Sequence, residues 1–490
     1  MMLVHWLRLA VIFPALVLSG CMGSDDRPVE VAVIGASAAP FVTKAPLPPS
    51  AQLLRAATHE GLVAFDEQGL VVPALADRWI VTDDGLSYIF RLRDGSWADG
   101  TPITGETARA ALTRAMAAQR GTPLGLDLSV VAEVRAMAGR VIEIRLASRQ
   151  PEFLQVLAQP DLGLARAGKG AGPMRLRREE DSAFLRPIPP EDRGMPQHER
   201  WHQRARNLEL NALPAKTAIE RFNRGELDVV LGGTFNDFPR LDAMGVARAA
   251  VRLDPVAGLF GLVVVRSDGF LAEAQNREAI SMAIDRQALA AAVNLSGWIT
   301  TTRVINPGLS GDDGTIGERW TARTLDERRS IAAARVAAWE AGGRKAVVLR
   351  VALPAGPGSD LLFRRLRQDL AAIGADARRV ADQADADLRL IDAIASYGSA
   401  QWFFSQLSCA VQASACNPSA DKFAAQARQE DDPAKQAGLV SQAEAQLTLS
   451  NGYIPIGVPI RWSLVGGTVT GFAVNRLSVH PLMSLAMLPR

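Results

Sequence analysis

Residues 198 to 202 read His198-Glu199-Arg200-Trp201-His202. Two histidines four apart, with a glutamate directly after the first, form the H-E-x-x-H pattern of zinc-dependent hydrolysis. On a helix both imidazoles share one face and can hold one zinc ion, and the carboxylate can act as general base toward an attacking water. Several features of the surrounding chain oppose that chemistry. Arg200 puts a cation between the two candidate ligands, and Gly194 and Pro196 interrupt a regular helix leading into them. No third ligand is obvious, because Glu220 and Glu226 fall on the next predicted helix and turn. The competing expectation is a surface segment whose Trp201 turns inward. A zinc metallopeptidase acting through His198, Glu199 and His202 stands only as an alternative, and no metal or cofactor is expected.

The other residues able to do chemistry are sparse. Of five histidines, His5 lies in the apolar start of the chain, leaving His59, His198, His202 and His480. No Ser/His/Asp or Cys/His constellation is visible, which argues against acid–base catalysis by histidine. Lys plus Arg (54) nearly balances Asp plus Glu (52), so the clustered positive charge of a nucleic-acid surface is not expected. At 490 residues, 48% of them hydrophobic, the chain has material for two or three folding units.

The first twenty-one residues, MMLVHWLRLAVIFPALVLSGC, have the basic start, apolar run and small-residue end of an export signal. Leu18-Ser19-Gly20-Cys21 is similar to the bacterial lipobox, which implies cleavage before Cys21 and lipidation of its thiol. A plain signal peptide or a short membrane anchor remains the alternative. Export permits disulfides, and Cys409 and Cys416 stand seven apart, at a spacing that can close a small loop.

Strand and helix patterns then alternate along the whole chain, which predicts an α/β fold. Val29–Gly35 reads as the opening strand. Asp83-Asp84-Gly85 between two alternating apolar runs predicts a hairpin, and Thr104 predicts the N-cap of a helix over 105–116. The helical spacing of REAISMAIDRQALAAAVN predicts one long amphipathic helix, followed by an irregular stretch through about residue 314.

The run EGLVAFDEQGLVVPALADRWIVTDDGLSYIFRLRDGSWADGTPITGE resembles the N-terminal signature of the family 5 extracellular solute-binding proteins, the oligopeptide- and dipeptide-type receptors of ABC importers. GAGPMRL, RFNRGELDVV, NREAISMAIDRQAL, LRQDLAAIGADA and QAEAQLTLSNGYIPIGVP are similar to later landmarks of that family, in the family's order. The resemblance implies an α/β, two-lobe periplasmic-binding-protein-like fold of class II type, with an extra subdomain on the first lobe. It divides the chain into a signal peptide (1–20), a lipidated tether (21–28), lobe 1 (29–65, 166–255 and 463–490), the extra subdomain (66–165) and lobe 2 (256–462).

The implied function is capture of a peptide or peptide-like solute in the interlobe cleft and its delivery to an ABC permease and ATPase. The implied setting is the periplasm, as a lipid-anchored monomer without enzymatic activity. A binding protein uncoupled from transport, serving as a sensor or envelope-interaction module, is the alternative. Peptide-binding members hold the ligand's ammonium with an acid in a segment that SYGSAQWFF matches here. Ser396 and Ser399 occupy the acidic positions, so a conventional free-N-terminus peptide is not the expected ligand. Tyr397, Trp402 and Phe403 are candidate cleft aromatics, with core packing as the alternative for the last two; Trp298 and Asn306 are further candidates.

Overall fold

The strand Val29–Ile34 consists of β-branched and small residues, and Val31, Ala32 and Val33 are all buried. Burial on both faces suits a strand paired on both sides in a parallel arrangement. It pairs in parallel with Leu208–Leu213 and with Val229–Thr234. Around it stands a seven-stranded sheet in the order Met174–Glu179, Ser182–Pro187, Leu208–Leu213, Val29–Ile34, Val229–Thr234, Arg461–Val465 and Val251–Leu253. The computed structural model describes residues 27–412 and 414–488, so the export-signal and lipidation readings, Cys21 included, lie outside the described residues.

A second sheet of five strands runs Asp376–Ala381, Val348–Leu353, Leu388–Ile394, Gly258–Val264 and Tyr453–Gly457. Every residue of Gly258–Val264 is buried. Helix Pro357–Ala371 links the parallel strands Val348–Leu353 and Asp376–Ala381, the usual crossover between parallel neighbours. Among the described residues, the chain passes between the two large sheets only through 254–257 and 458–460.

A third, four-stranded antiparallel sheet holds Ala76–Val81, Ser87–Leu92, Val141–Leu146 and Val131–Ala136, and helix Gly105–Ala118 packs on it. We call the sheets, with their helices, lobe 1, lobe 2 and the subdomain. The predicted hairpin forms, with Gly85 at φ +68° and the Gly85 amide donating to Thr82 O. Thr104 caps the following helix reciprocally with Thr107.

The long helix predicted over the 277–294 stretch is two helices, Ala274–Ala283 and Arg286–Val293. The apolar spacing runs through the break, but Asp285 accepts from the Ala288 amide and starts a new helix there. Its own amide donates to Asp369 Oδ2. Arg286 is buried and donates to Pro455 O at 2.6 Å, a tertiary bond that fixes the kink.

Candidate functional site between the lobes

The three central strands of lobe 1 are parallel, so Ile34, Leu213 and Thr234 end on one edge of the sheet. In lobe 2 the parallel strands end at Leu353, Ala381 and Ile394 on one edge, and the antiparallel strand Gly258–Val264 begins there. Both crossings lie on these edges, so the carboxyl ends of the two sheets face each other. Loops that leave such edges are where open α/β sheets bind ligands.

Several side chains span this seam. Asn236, on the loop after Val229–Thr234, donates to Ala355 O at 2.8 Å and accepts from Ser359 Oγ at 2.8 Å. It thereby occupies the N-terminal turn of the lobe 2 helix Pro357–Ala371, where backbone amides lack helical partners. Arg461 reaches from lobe 1 to Asp392 at 2.7 Å. Phe235 of lobe 1 packs on Phe260 and Trp298 of lobe 2, with ring centroids 4.6 and 6.0 Å away. On the subdomain side, Gln159 donates to Ser396 O at 2.9 Å, and Gln155 accepts from the Gly398 amide at 3.2 Å.

Two acids from the subdomain face the same stretch. Asp127 accepts from Ser405 Oγ at 2.5 Å. Burial pushes its carboxyl up to about 7, against the opposing effects of Ser405, the neighbouring Tyr397 hydroxyl and Arg428. Glu152 is likewise raised by burial, with Ser310 opposing. Burial, with Asp127 next in effect, holds the Tyr397 phenol well above its ordinary value.

At the other end of the seam lies an open crevice of about 720 Å³. Arg240 of lobe 1 and Ala355, Gly356, Asp360, Arg379 and Asp382 of lobe 2 are among its walls. None of its lining residues belongs to the 396–403 stretch. Its two arginines are occupied, Arg240 with Asp237 at 2.9 Å and Arg379 with Asp360.

The residues singled out in the sequence divide as follows. Ser396 contributes its carbonyl to the seam, as noted. Ser399 accepts from the Gln401 amide and caps helix Ala400–Leu407. Tyr397 is 1% exposed, and Trp402 and Phe403 are buried in the apolar cluster shared by the subdomain and lobe 2. Trp298 is half-buried and donates to Val458 O at 2.8 Å, bracing one of the crossings. Asn306 is buried and accepts from the Gly258 amide at 2.6 Å, so it fixes the first residue of a central strand. Cys409 and Cys416 are joined in a disulfide.

The 198–202 segment has a different geometry from a zinc helix. Arg200 is left-handed at φ 60°, and only Trp201–Arg204 is helical. His198 and Glu199 are exposed before that turn, so the two imidazoles do not share one helical face. Trp201 is half-buried and packs edge-on against His198. Among the described residues, no cluster of three or more His, Cys, Asp or Glu could hold a metal ion.

The seam residues that sequence reasoning missed are Asn236, Gln155, Gln159, Asp127, Glu152, Asp392 and Arg461. Their signal is only a polar side chain on a loop, a short helix or, for Asp392 and Arg461, a strand.

Residues 71–180 match the family model described as bacterial extracellular solute-binding proteins, family 5 Middle. The fold matches Haemophilus influenzae OppA, solved in complex with the peptide RPPGFSPFR, at a TM-score of 0.81 and 16% identity, covering 95% of this chain and 99% of that one. The chain thus shares the fold of OppA, and the family 5 match covers residues 71–180 of it. The Escherichia coli murein tripeptide binding protein MppA matches at 0.80 and 19% identity over 94% of this chain and 98% of its own. The unliganded open form of MppA matches less well, at a TM-score of 0.63. In sequence, a probable deoxycholate-binding periplasmic protein of E. coli K12 is 36% identical over 121 residues. That match spans 21% of this chain and 23% of the relative. Among the described residues, no helix is long and apolar enough to cross a membrane.

Proposed function

We propose that this chain is the substrate-binding component of an ABC importer, taking a peptide or peptide-like solute between its lobes. The observation that carries this reading is the pair of α/β sheets whose carboxyl edges face each other, linked by the chain at 254–257 and 458–460. Two short crossings allow the lobes to open and close as bodies, and a ligand that touches both stabilises the closed form. OppA and MppA, whose fold this chain shares, carry peptide ligands in their names or complexes. Export to the periplasm, anchoring through a lipid on Cys21 and delivery to a permease and ATPase complete the reading.

The ligand class is narrowed by the 396–399 stretch. The stretch itself carries no carboxylate to balance a buried ammonium, which would be costly to desolvate alone, and the acids facing it from the subdomain, Asp127 and Glu152, are raised by burial. Ser399 is committed to a helix cap, and the Ser396 carbonyl is already bonded. A peptide-like solute without a free α-ammonium at this position is therefore favoured. The test is a thermal-shift screen of the mature protein with free and N-acetylated di- to pentapeptides, a murein tripeptide, agropinic acid and deoxycholate. Stabilisation by N-blocked peptides above their free counterparts is expected. Stabilisation by deoxycholate alone, or by no peptide, overturns the peptide reading.

A further inference from the structure

Asp127 ends the short subdomain helix Pro123–Asp127 and is 4% exposed. It packs against lobe 2 helix Ala400–Leu407, among an apolar cluster that includes Leu128 and Val130 on its own side and Trp402, Phe403 and Leu407 opposite. From the opposite lobe it accepts from Ser405 Oγ. Tyr397 is also in lobe 2 and buried, and its hydroxyl lies beside the Asp127 carboxyl. A carboxyl and a phenol from opposite lobes thus lie side by side in an apolar seam. A carboxylate only accepts, whereas a protonated carboxyl also donates. The Ser405 and Tyr397 hydroxyls can each donate to the carboxylate, but no cation is paired with it, so its removal from water favours the protonated form.

The charges facing this pair are few. Arg428, from helix Pro418–Gln429 of lobe 2, acts on Asp127 through space, and Glu152 of the subdomain adds negative charge at Tyr397. None of the ion pairs among the described residues includes Asp127.

We propose that Asp127 is a proton-operated latch between the subdomain and lobe 2, which takes up a proton when the lobes close and releases it to water when they open. This regulates the site of the proposed function and rests on the reading that the lobes open and close, but not on the identity of the solute.

The sign follows from linkage. In the closed form the carboxyl titrates at about 7, and an open, solvated aspartate titrates near ~4. Between those values the closed form holds the proton and the open form does not, so the closed-to-open ratio falls about tenfold per pH unit and levels off above about 7. From pH 5 to pH 8 the ratio falls on the order of a hundred-fold.

The experiment measures interlobe distances in the solute-free mature protein. Spin labels are placed at the exposed positions Glu106→Cys in the subdomain and Lys435→Cys in lobe 2, with the Cys409–Cys416 disulfide intact. The closed share is expected to fall steeply from pH 5 to pH 8. In Asp127→Asn, whose carboxamide still accepts from Ser405, the closed share should stay high and flat with pH. A thermal melt confirms that this variant is folded. Two populated distances whose proportions ignore pH, or a pH response that survives in Asp127→Asn, overturn the latch alone. A single closed distance at every pH overturns both the latch and the two-lobe reading beneath it.

Discussion

Replacing Arg303 by methionine tests how lobe 2 holds the irregular stretch between its helices. Arg303 is 5% exposed and donates to Asp312 at 2.8 Å and to Glu444 at 2.8 Å, both of them buried. Glu444, on helix Pro433–Ser450, also accepts from the Ile305 amide, so the triad ties residues 303–312 to that helix. Burial opposes the Arg303 charge, but Glu444 and Asp312 outweigh it and hold the guanidinium above its ordinary value. Removing the cation leaves two buried carboxylates without compensation. Breaking such a pair costs about 3–5 kcal/mol, because the cost is the stranded charge rather than the lost bond. For a body of roughly 200 residues that corresponds to a melting temperature lower by about 10 °C.

The variant's deficit also has a pH signature. Without Arg303 both carboxyls are pushed up by burial and by each other, and each can relieve its penalty by protonation. The difference from the parent should therefore be largest near pH 8 and shrink toward pH 5, where the folded variant binds more protons than the parent. Urea unfolding followed by tryptophan fluorescence at both pH values reads this directly. A loss below about 1 kcal/mol, or a deficit that does not change with pH, would refute the account of a charge-compensated wall.

Two further outcomes follow from other sites. His59 is half-buried beside Thr58, and burial, with Arg55 adding to it, pulls its imidazole down to about 4. The unfolded chain protonates it near ~6.5, so stability falls as pH drops from about 6.5 to about 4, by about 2–3 kcal/mol; His59→Gln should flatten that part of a melting-temperature profile. At 198–202, replacing both His198 and His202 by alanine should change stability by less than about 0.5 kcal/mol, since the exposed imidazoles hold no common helix face. Calorimetric titration with zinc should give the same stoichiometry for parent and variant.

What the sequence discloses about the fold is what short stretches decide by themselves. Asp83-Asp84-Gly85 forms its turn because Gly85 takes a positive φ at no steric cost, and Asp84 accepts from the Leu86 amide two residues on. Thr104 and Thr107 bond each other within one turn of helix. The kink at Asp285 is different, because it depends on Asp369 and Pro455, far along the chain. The seam is more remote still: Gln159 and Ser396 are 237 residues apart, and Asn236 and Ser359 are 123 apart. Nothing in the spacing of those residues marks them, since any exposed polar position of a short helix or turn looks the same until the lobes meet. Trp402 and Phe403 carry the opposite ambiguity. In SAQWFFSQL the aromatics are contiguous, so the helix they sit on must bury more than one face, and both rings end in the core.

The serines at 396 and 399 gain a physical sense from what faces them. The resemblance leads to an acid on this strand end, presented by lobe 2. The acids are there, but they come from the other side: Asp127 and Glu152 both belong to the subdomain, both approach Tyr397, and burial raises both. A carboxylate added at 396 or 399 would share this seam with two acids whose charge burial already disfavours, and each would raise the others. Serine avoids that repulsion while keeping a hydroxyl that Ser399 uses to cap its helix. Moving the acid across the seam changes what it can do. On lobe 2 it would be fixed to one wall and available to a ligand in the open form; on the subdomain it meets its partners only when the lobes come together. The same charge is thereby coupled to closure rather than to capture.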